Sequence, residues 1–208
     1  MVKKNRLIRS FQAASQGVRI AALNFGGGFA VGSEIRNSGD ILDVDRQELQ
    51  AVPEPGSVAS FEQVCSAISL ELPGALPISC LMEPGRLLVS DAFHLITRVV
   101  RIKEESGTCF AILDAGRIQN ALFAGRGYHE IIPVLPARSS CRPYTLVGPL
   151  CASFDVFARS RMLPELAEDD IIAIMDVGAY NLSARSWWSF DPAKVVSVRP
   201  EGAVVTEM

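Results

Sequence analysis

The chain has 208 residues, 49% of them hydrophobic and 21% charged, which supplies a core for one or two domains and excludes intrinsic disorder. With 20 Lys and Arg against 23 Asp and Glu, the net charge of −3 gives no field to gather nucleic acid, and no such partner is expected. No stretch approaches the ~20 apolar residues of a membrane helix, and no apolar run follows the basic start, so a cytoplasmic protein without a membrane partner is expected.

Leu7, Ile8, Phe11 and Ala14 recur at helical spacing, and Gly17 offers a stop, which predicts a first helix. Val18 to Phe25 is a nearly unbroken apolar run ending at Gly26, Gly27 and Gly28, the pattern of a strand buried on both faces of a parallel sheet. Residues 29–56 read mostly as loop. Ser60 and Gln63 form a capping-box pair ahead of Phe61, Val64, Cys65 and Ile68 on one helical face. Pro73 and Pro77 punctuate the exit. A second apolar run, Ile78 to Met82, then ends in the turn Glu83-Pro84-Gly85-Arg86.

Helix, strand, loop, helix, strand is a βα rhythm, which belongs to a parallel sheet with helices packed outside. From Ile96 onward the segments are short and β-rich: LITRVVRIK, CFAILDA, HEIIPVLP, YTLVGPL, IIAIMDV and KVVSVRP. They predict an all-β barrel or sandwich, with a domain boundary near residue ~90. Two βα units neither close a barrel nor stand alone in water, so the sequence is expected to be incomplete at its N-terminus.

Lacking Cβ atoms, the three glycines allow the backbone to approach an anion and point N–H groups at it; a plain strand exit or a flexible linker gives the same pattern. Glu83 and Arg86 end the next strand, side by side with the glycines on the face where barrel active sites form. There a carboxylate and a guanidinium suit a cationic ring atom and an anion; a surface ion pair is the alternative. The cysteines, Cys65, Cys80, Cys109, Cys141 and Cys151, are scattered without a CxxC pair, which suggests neither a disulfide framework nor a zinc site. His94 and His129 have no cysteine or carboxylate at ligand spacing and read as structural residues, so no metal is expected. Trp187 and Trp188 read as packing or dimer contacts.

Further motifs complete a series. LNFGGG, EPGR, ILDAG, YHEIIPV, VGPLC with Asp155 downstream, LPEL, and Gly178-Ala179-Tyr180 run in order from about Ile20 to about Val198. Together they resemble the fold-type III pyridoxal-phosphate decarboxylases, the family of ornithine, diaminopimelate and arginine decarboxylases. The resemblance implies that residues 1–90 are the last two βα units of a TIM-like (β/α)8 barrel and that residues 91–208 are the family's C-terminal β-barrel or sandwich domain.

It also implies pyridoxal 5'-phosphate as cofactor and an amino acid as substrate. Gly26, Gly27, Gly28, Gly85, Arg86 and the Tyr180 hydroxyl would hold the cofactor, the glycines around its phosphate. Glu83 would pair with the pyridine nitrogen and keep the ring an electron sink. Cys151 would reach the partner's active site in a head-to-tail homodimer and help return a proton to Cα; taken alone, it reads as a small buried hydrophobe. Arg117 and Arg126 lie near the family position for a distal substrate carboxylate, but neither falls on it. Ala152 replaces a residue that is often acidic, and Asp169 a usual turn glycine.

The lysines are Lys3, Lys4, Lys103 and Lys194. None fits the family's lysine at the barrel mouth, where desolvation makes an amine nucleophilic. The expected protein is therefore the C-terminal portion of a decarboxylase, inactive alone and working with an N-terminal half or a partner chain. The alternative is a noncatalytic homologue that binds or regulates an intact decarboxylase.

Overall fold

A computed structural model describes residues 16–17, 21–29, 60–71, 79–117, 129–134, 138 and 140–206. The helix expected over Leu7 to Ala14, most of the 29–56 loop, Pro73, Pro77, Tyr128 and Arg126 lie outside the described residues. The described chain falls into two compact units, one up to Val89 and one from Ser90.

In the first unit, β1 (Ala22–Asn24) pairs in parallel with β2 (Ser79–Leu81), Ala22 opposite Ser79 and Asn24 opposite Leu81. Between them in sequence runs α1 (Phe61–Glu71). Its capping box is formed: the Ser60 N–H donates to Gln63 Oε1 at 2.8 Å, and the Gln63 N–H donates to Ser60 Oγ at 3.2 Å. These bonds satisfy donors that the first helical turn leaves open. Phe25 and Ile68 are buried, with Leu23, Val64 and Met82 packed against them, and Phe29 meets Phe61 edge to face at 5.4 Å. The burial of both strand faces expected from the sequence is not seen. Ala22 and Asn24 are exposed, Leu23 is half-buried, and all three β2 residues are exposed, because two paired strands leave a face that no second layer covers. A short helix, α2 (Arg86–Val89), follows the Glu83 turn.

The second unit contains a six-stranded sheet made of β3 (Leu95–Glu105), β4 (Thr108–Leu113), β5 (Ile131–Pro133), β6 (Cys141–Val147), β7 (Val156–Pro164) and β8 (Ile171–Ile174). Their order is β5-β8-β3-β4-β6-β7. β4 and β6 run parallel and every other neighbouring pair antiparallel. A separate antiparallel hairpin joins β9 (Val195–Arg199) to β10 (Gly202–Thr206).

Strand β3 serves two partners. Leu95 to Arg98 pair with β8, and Val99 to Glu105 pair with β4, with an irregular register between Val99 and Arg101. At the changeover, Asp114 Oδ1 accepts from Thr97 Oγ1 at 2.7 Å and from the Arg98 N–H at 2.9 Å. Asp169, where the family resemblance implies a turn glycine, has a left-handed backbone, φ 69°, and its N–H donates to Val99 O at 2.8 Å. A tight turn, Ser106 (φ 49°) and Gly107 (φ 77°), closes the β3–β4 hairpin, matching the strands' right-handed twist.

Alternating residues of these strands build one core that includes Val99, Leu113, Tyr144, Leu146, Ile172 and Ile174. Asp170 is buried at its edge; burial raises its carboxyl pKa, but bonds from Arg138 and the Ala167 N–H outweigh that and hold it low. Tyr144 is 1% exposed, and its hydroxyl accepts from the Leu166 N–H at 2.9 Å. Tyr144→Phe leaves that buried N–H without an acceptor and is expected to cost about 1–3 kcal/mol, read as a lower urea midpoint with unchanged slope.

Candidate active site

Two strand ends in the first unit carry the glycines and Glu83. Parallel pairing sends both chains out at the same edge, where the Phe25 N–H donates to Leu81 O at 2.9 Å and the Glu83 N–H to Gly26 O at 3.0 Å. Gly26 and Gly28 are left-handed, φ 67° and 73°, conformations costly to residues with a Cβ. Gly27 has a different reason to be glycine: a Cβ there would lie 2.6 Å from the Glu83 carbonyl oxygen.

Asn24, which the motif contains but sequence reasoning gave no role, ties the two turns together. Its Oδ1 accepts from the Gly26 N–H at 2.7 Å, and its Nδ2 donates to Glu83 Oε1 at 2.6 Å. The signal available was a side-chain amide two residues ahead of a glycine run, a pattern that bonds its own backbone. The Gly26 N–H is thereby committed to Asn24. Gly85 O accepts from the Leu88 N–H at 3.0 Å, which opens α2 with Arg86, half-buried, as its first residue.

Cys151 and Tyr180 both lie in the second unit. Cys151 is exposed at the crest of the turn between β6 and β7. Asp155 in the same turn is 1% exposed; its Oδ1 accepts from the Arg117 N–H at 2.6 Å and its Oδ2 from the Leu150 N–H at 3.0 Å. Tyr180 is exposed and follows β8 in a segment where Asp176, Ala179 and Tyr180 have φ of 57°, 57° and 66°. Such strain in non-glycine residues persists only where surroundings enforce it. Here the Val177 N–H donates to Phe93 O at 2.9 Å and the Gly178 N–H to Ser90 O at 3.1 Å. Trp188 meets Phe154, beside Cys151 in sequence, edge to face at 6.0 Å, and Trp187 and Phe190 are exposed.

His94 and His129 hold strand ends. His94 Nδ1 accepts from the Asp176 N–H at 3.3 Å. His129 Nδ1 lies 2.8 Å from Met175 O, so this nitrogen carries the hydrogen and Nε2 is an acceptor; Nε2 is buried and has no partner among the described residues. Burial lowers the His129 pKa; the Met175 bond and Asp176 oppose that, while Arg117 and Arg161 add to it. Arg117 is itself drawn down by burial, with Asp155 as the opposing charge.

Residues 29–178 match the family described as pyridoxal-dependent decarboxylase, C-terminal sheet domain. A diaminopimelate decarboxylase of Methanothermobacter thermautotrophicus is 34% identical over 191 residues, 90% of this chain and 41% of that protein. One from Vibrio cholerae is 31% identical over 199 residues, 94% of this chain and 42% of that protein. The chain thus spans about two fifths of the length of these relatives. The crystal structure of diaminopimelate decarboxylase from Helicobacter pylori complexed with L-lysine superposes with a TM-score of 0.73 at 25% identity, over 98% of this chain and 45% of that one. A lysine/ornithine decarboxylase from Vibrio vulnificus shares the fold, with a TM-score of 0.66 at 24% identity over 88% of this chain and 46% of that one.

The buried imidazole sets a pH dependence. In the unfolded chain His129 takes up a proton near its ordinary value of 6.5, whereas in the folded chain it resists until a lower pH. The unfolded state therefore binds more protons below that value, and stability falls as pH drops, by up to about 1.4 kcal/mol per pH unit. Urea midpoints taken from about pH 7.5 down to about pH 5.5 are expected to show this fall, and His129→Gln to remove that increment.

Proposed function

The chain belongs to the pyridoxal-dependent decarboxylase family, whose C-terminal sheet domain it carries, and on that footing we propose that it is the C-terminal portion of an amino-acid decarboxylase. The observation that carries this is the fastening of the glycine turn to Glu83 at the ends of two adjacent parallel strands. Residues up to about 90 would be the last two βα units of a TIM-like barrel, whose neighbouring strands would cover the exposed residues of β1 and β2.

The residues fit the family's cofactor. Among the described residues nothing lies within 4 Å of where a Cβ on Gly28 would stand, and the amides of Gly27 and Gly28 would meet the phosphate, since Gly26 already donates to Asn24. By the family resemblance, Gly85 and Arg86 would complete this cradle with a positive charge, and the Tyr180 hydroxyl would be a further cofactor ligand. Glu83, one oxygen steadied by Asn24, would pair with the ring nitrogen. Pyridoxal phosphate, when bound, supplies a protonated ring that accepts the electron pair left when carbon dioxide departs. Glu83 would keep that nitrogen protonated, because a carboxylate paired with it would favour the charged form. Cys151, on its exposed crest, would deliver a proton to Cα of the substrate held by the partner subunit. The exposed Phe154, Trp187, Trp188 and Phe190 on neighbouring turns support a homodimer contact beside that thiol.

The covalent lysine would come from a further segment or chain. Lys103 pairs with Glu105 at the surface of β3, and Lys194 is exposed ahead of β9. The amino acid acted on would be basic or dicarboxylic, as the names of the relatives suggest. No helix among the described residues is long and apolar enough to cross a membrane.

In an enzyme assembled from this chain and a lysine-bearing N-terminal half, Glu83→Gln is expected to lower turnover at least ~100-fold, about 2.7 kcal/mol of transition-state stabilisation, with only modest loss of cofactor binding. Carbon dioxide release across basic and dicarboxylic amino acids is the assay, and unchanged turnover removes Glu83 from its role.

A further inference from the structure

The Cys151 turn is held by a buried charge. The parallel pairing of β4 with β6 ends at Ile112 opposite Val147, after which the two chains part. Across the gap the Asp155 carboxylate takes one N–H from each side, Arg117 at 2.6 Å and Leu150 at 3.0 Å. Its backbone closes the turn on itself. The Gly148 N–H donates to Asp155 O at 2.9 Å, the Asp155 N–H to Ala152 O at 3.0 Å, and the Ala152 N–H to Leu150 O at 2.8 Å.

Gly148 makes room for this arrangement. A Cβ on it would stand 2.1 Å from Asp155 Oδ2 and 2.7 Å from Oδ1, so the carboxylate fills the space that any other residue would claim. Hydrogen bonds to an ionised acceptor are stronger than neutral ones. A buried carboxylate is retained only where such bonds and a nearby cation compensate for lost water, and the Arg117 guanidinium supplies that opposing charge.

We propose that Asp155 is the positioning residue for Cys151: its carboxylate, seated in the gap left by Gly148, fixes the crest that presents the thiol. This rests on the assignment of Cys151 as the active-site thiol. Asp155 touches no reacting atom; it acts through the Leu150, Cys151 and Ala152 backbone.

Hydrogen exchange at the Leu150 and Arg117 amides, together with labelling of Cys109 by a thiol reagent, tests the lock on the chain itself. Asp155→Asn sets an amide NH2 against a backbone N–H, and Gly148→Ala displaces the carboxylate while keeping its charge. Both are expected to speed exchange at the two amides at least tenfold, while Cys109, buried on β4, keeps its native labelling rate. Exchange within twofold of native in both variants overturns the proposal. So does Cys109 labelling that rises in step, which makes Asp155 a support of the whole sheet.

In the assembled enzyme, Asp155→Asn is expected to lower kcat as Cys151→Ala does, with KM within twofold, and to add nothing on top of it. Additive losses overturn the coupling of Asp155 to the thiol. Full turnover by Cys151→Ala overturns the assignment of the thiol itself, and with it the coupling, while the exchange result still reports the lock.

Discussion

The second unit depends on the change of partner along β3. One strand of 11 residues is shared between β8 and β4, and the handover at Val99 is closed by carboxylates and amides from both sides. A strand that leaves one neighbour for another exposes backbone groups at the break, and those groups must find partners. Asp114 supplies them on the β4 side, and the Asp169–Asp170 turn on the β8 side. Both turns of functional interest leave from strands seated this way. β8 runs out into the strained Asp176–Tyr180 segment. β4 runs out toward Arg117, and its parallel neighbour β6 into the Cys151 turn.

Periodicity and turn chemistry made much of this legible. The capping box at Ser60 and Gln63 forms as written; β5, β8 and β9 fall within the short β-rich runs, and β3, β4 and β6 overlap theirs but extend beyond them. β7 was not legible. Its buried positions, Val156, Ala158 and Leu163, are interrupted by Arg159, Ser160 and Arg161, and Ser160 turns left-handed at φ 48°, so period-two alternation is broken in sequence although β6 still pairs along it. Asn24 and Asp155 were legible only as letters in motifs. Their roles depend on Glu83, 59 residues from Asn24, and on Arg117, 38 residues from Asp155, and no local pattern announces a bond between such distant positions.

The family match opens at Phe29, immediately after the glycine turn, and closes at Gly178. The turn at Gly26–Gly28 lies outside that match and is fastened to Glu83 by hydrogen bonds, whereas the six-stranded sheet lies within it. This division has a physical counterpart. The first unit has a small core around Phe25 and Ile68, and its site geometry is held by a few hydrogen bonds at the strand ends. The second has one large core and holds its exposed turns from beneath, by a buried carboxylate and backbone amides.

Gly27 lies against the main-chain carbonyl of Glu83 and, among the described residues, against no side chain. Peptide groups, which every sequence shares, set the separation of the two crossing loops. Neighbouring side chains other than that of Asn24, which ties the same two turns, can therefore change in shape and polarity over evolutionary time without moving that joint. A lineage built on it is free to retune what it accepts while the anchor beneath stays still.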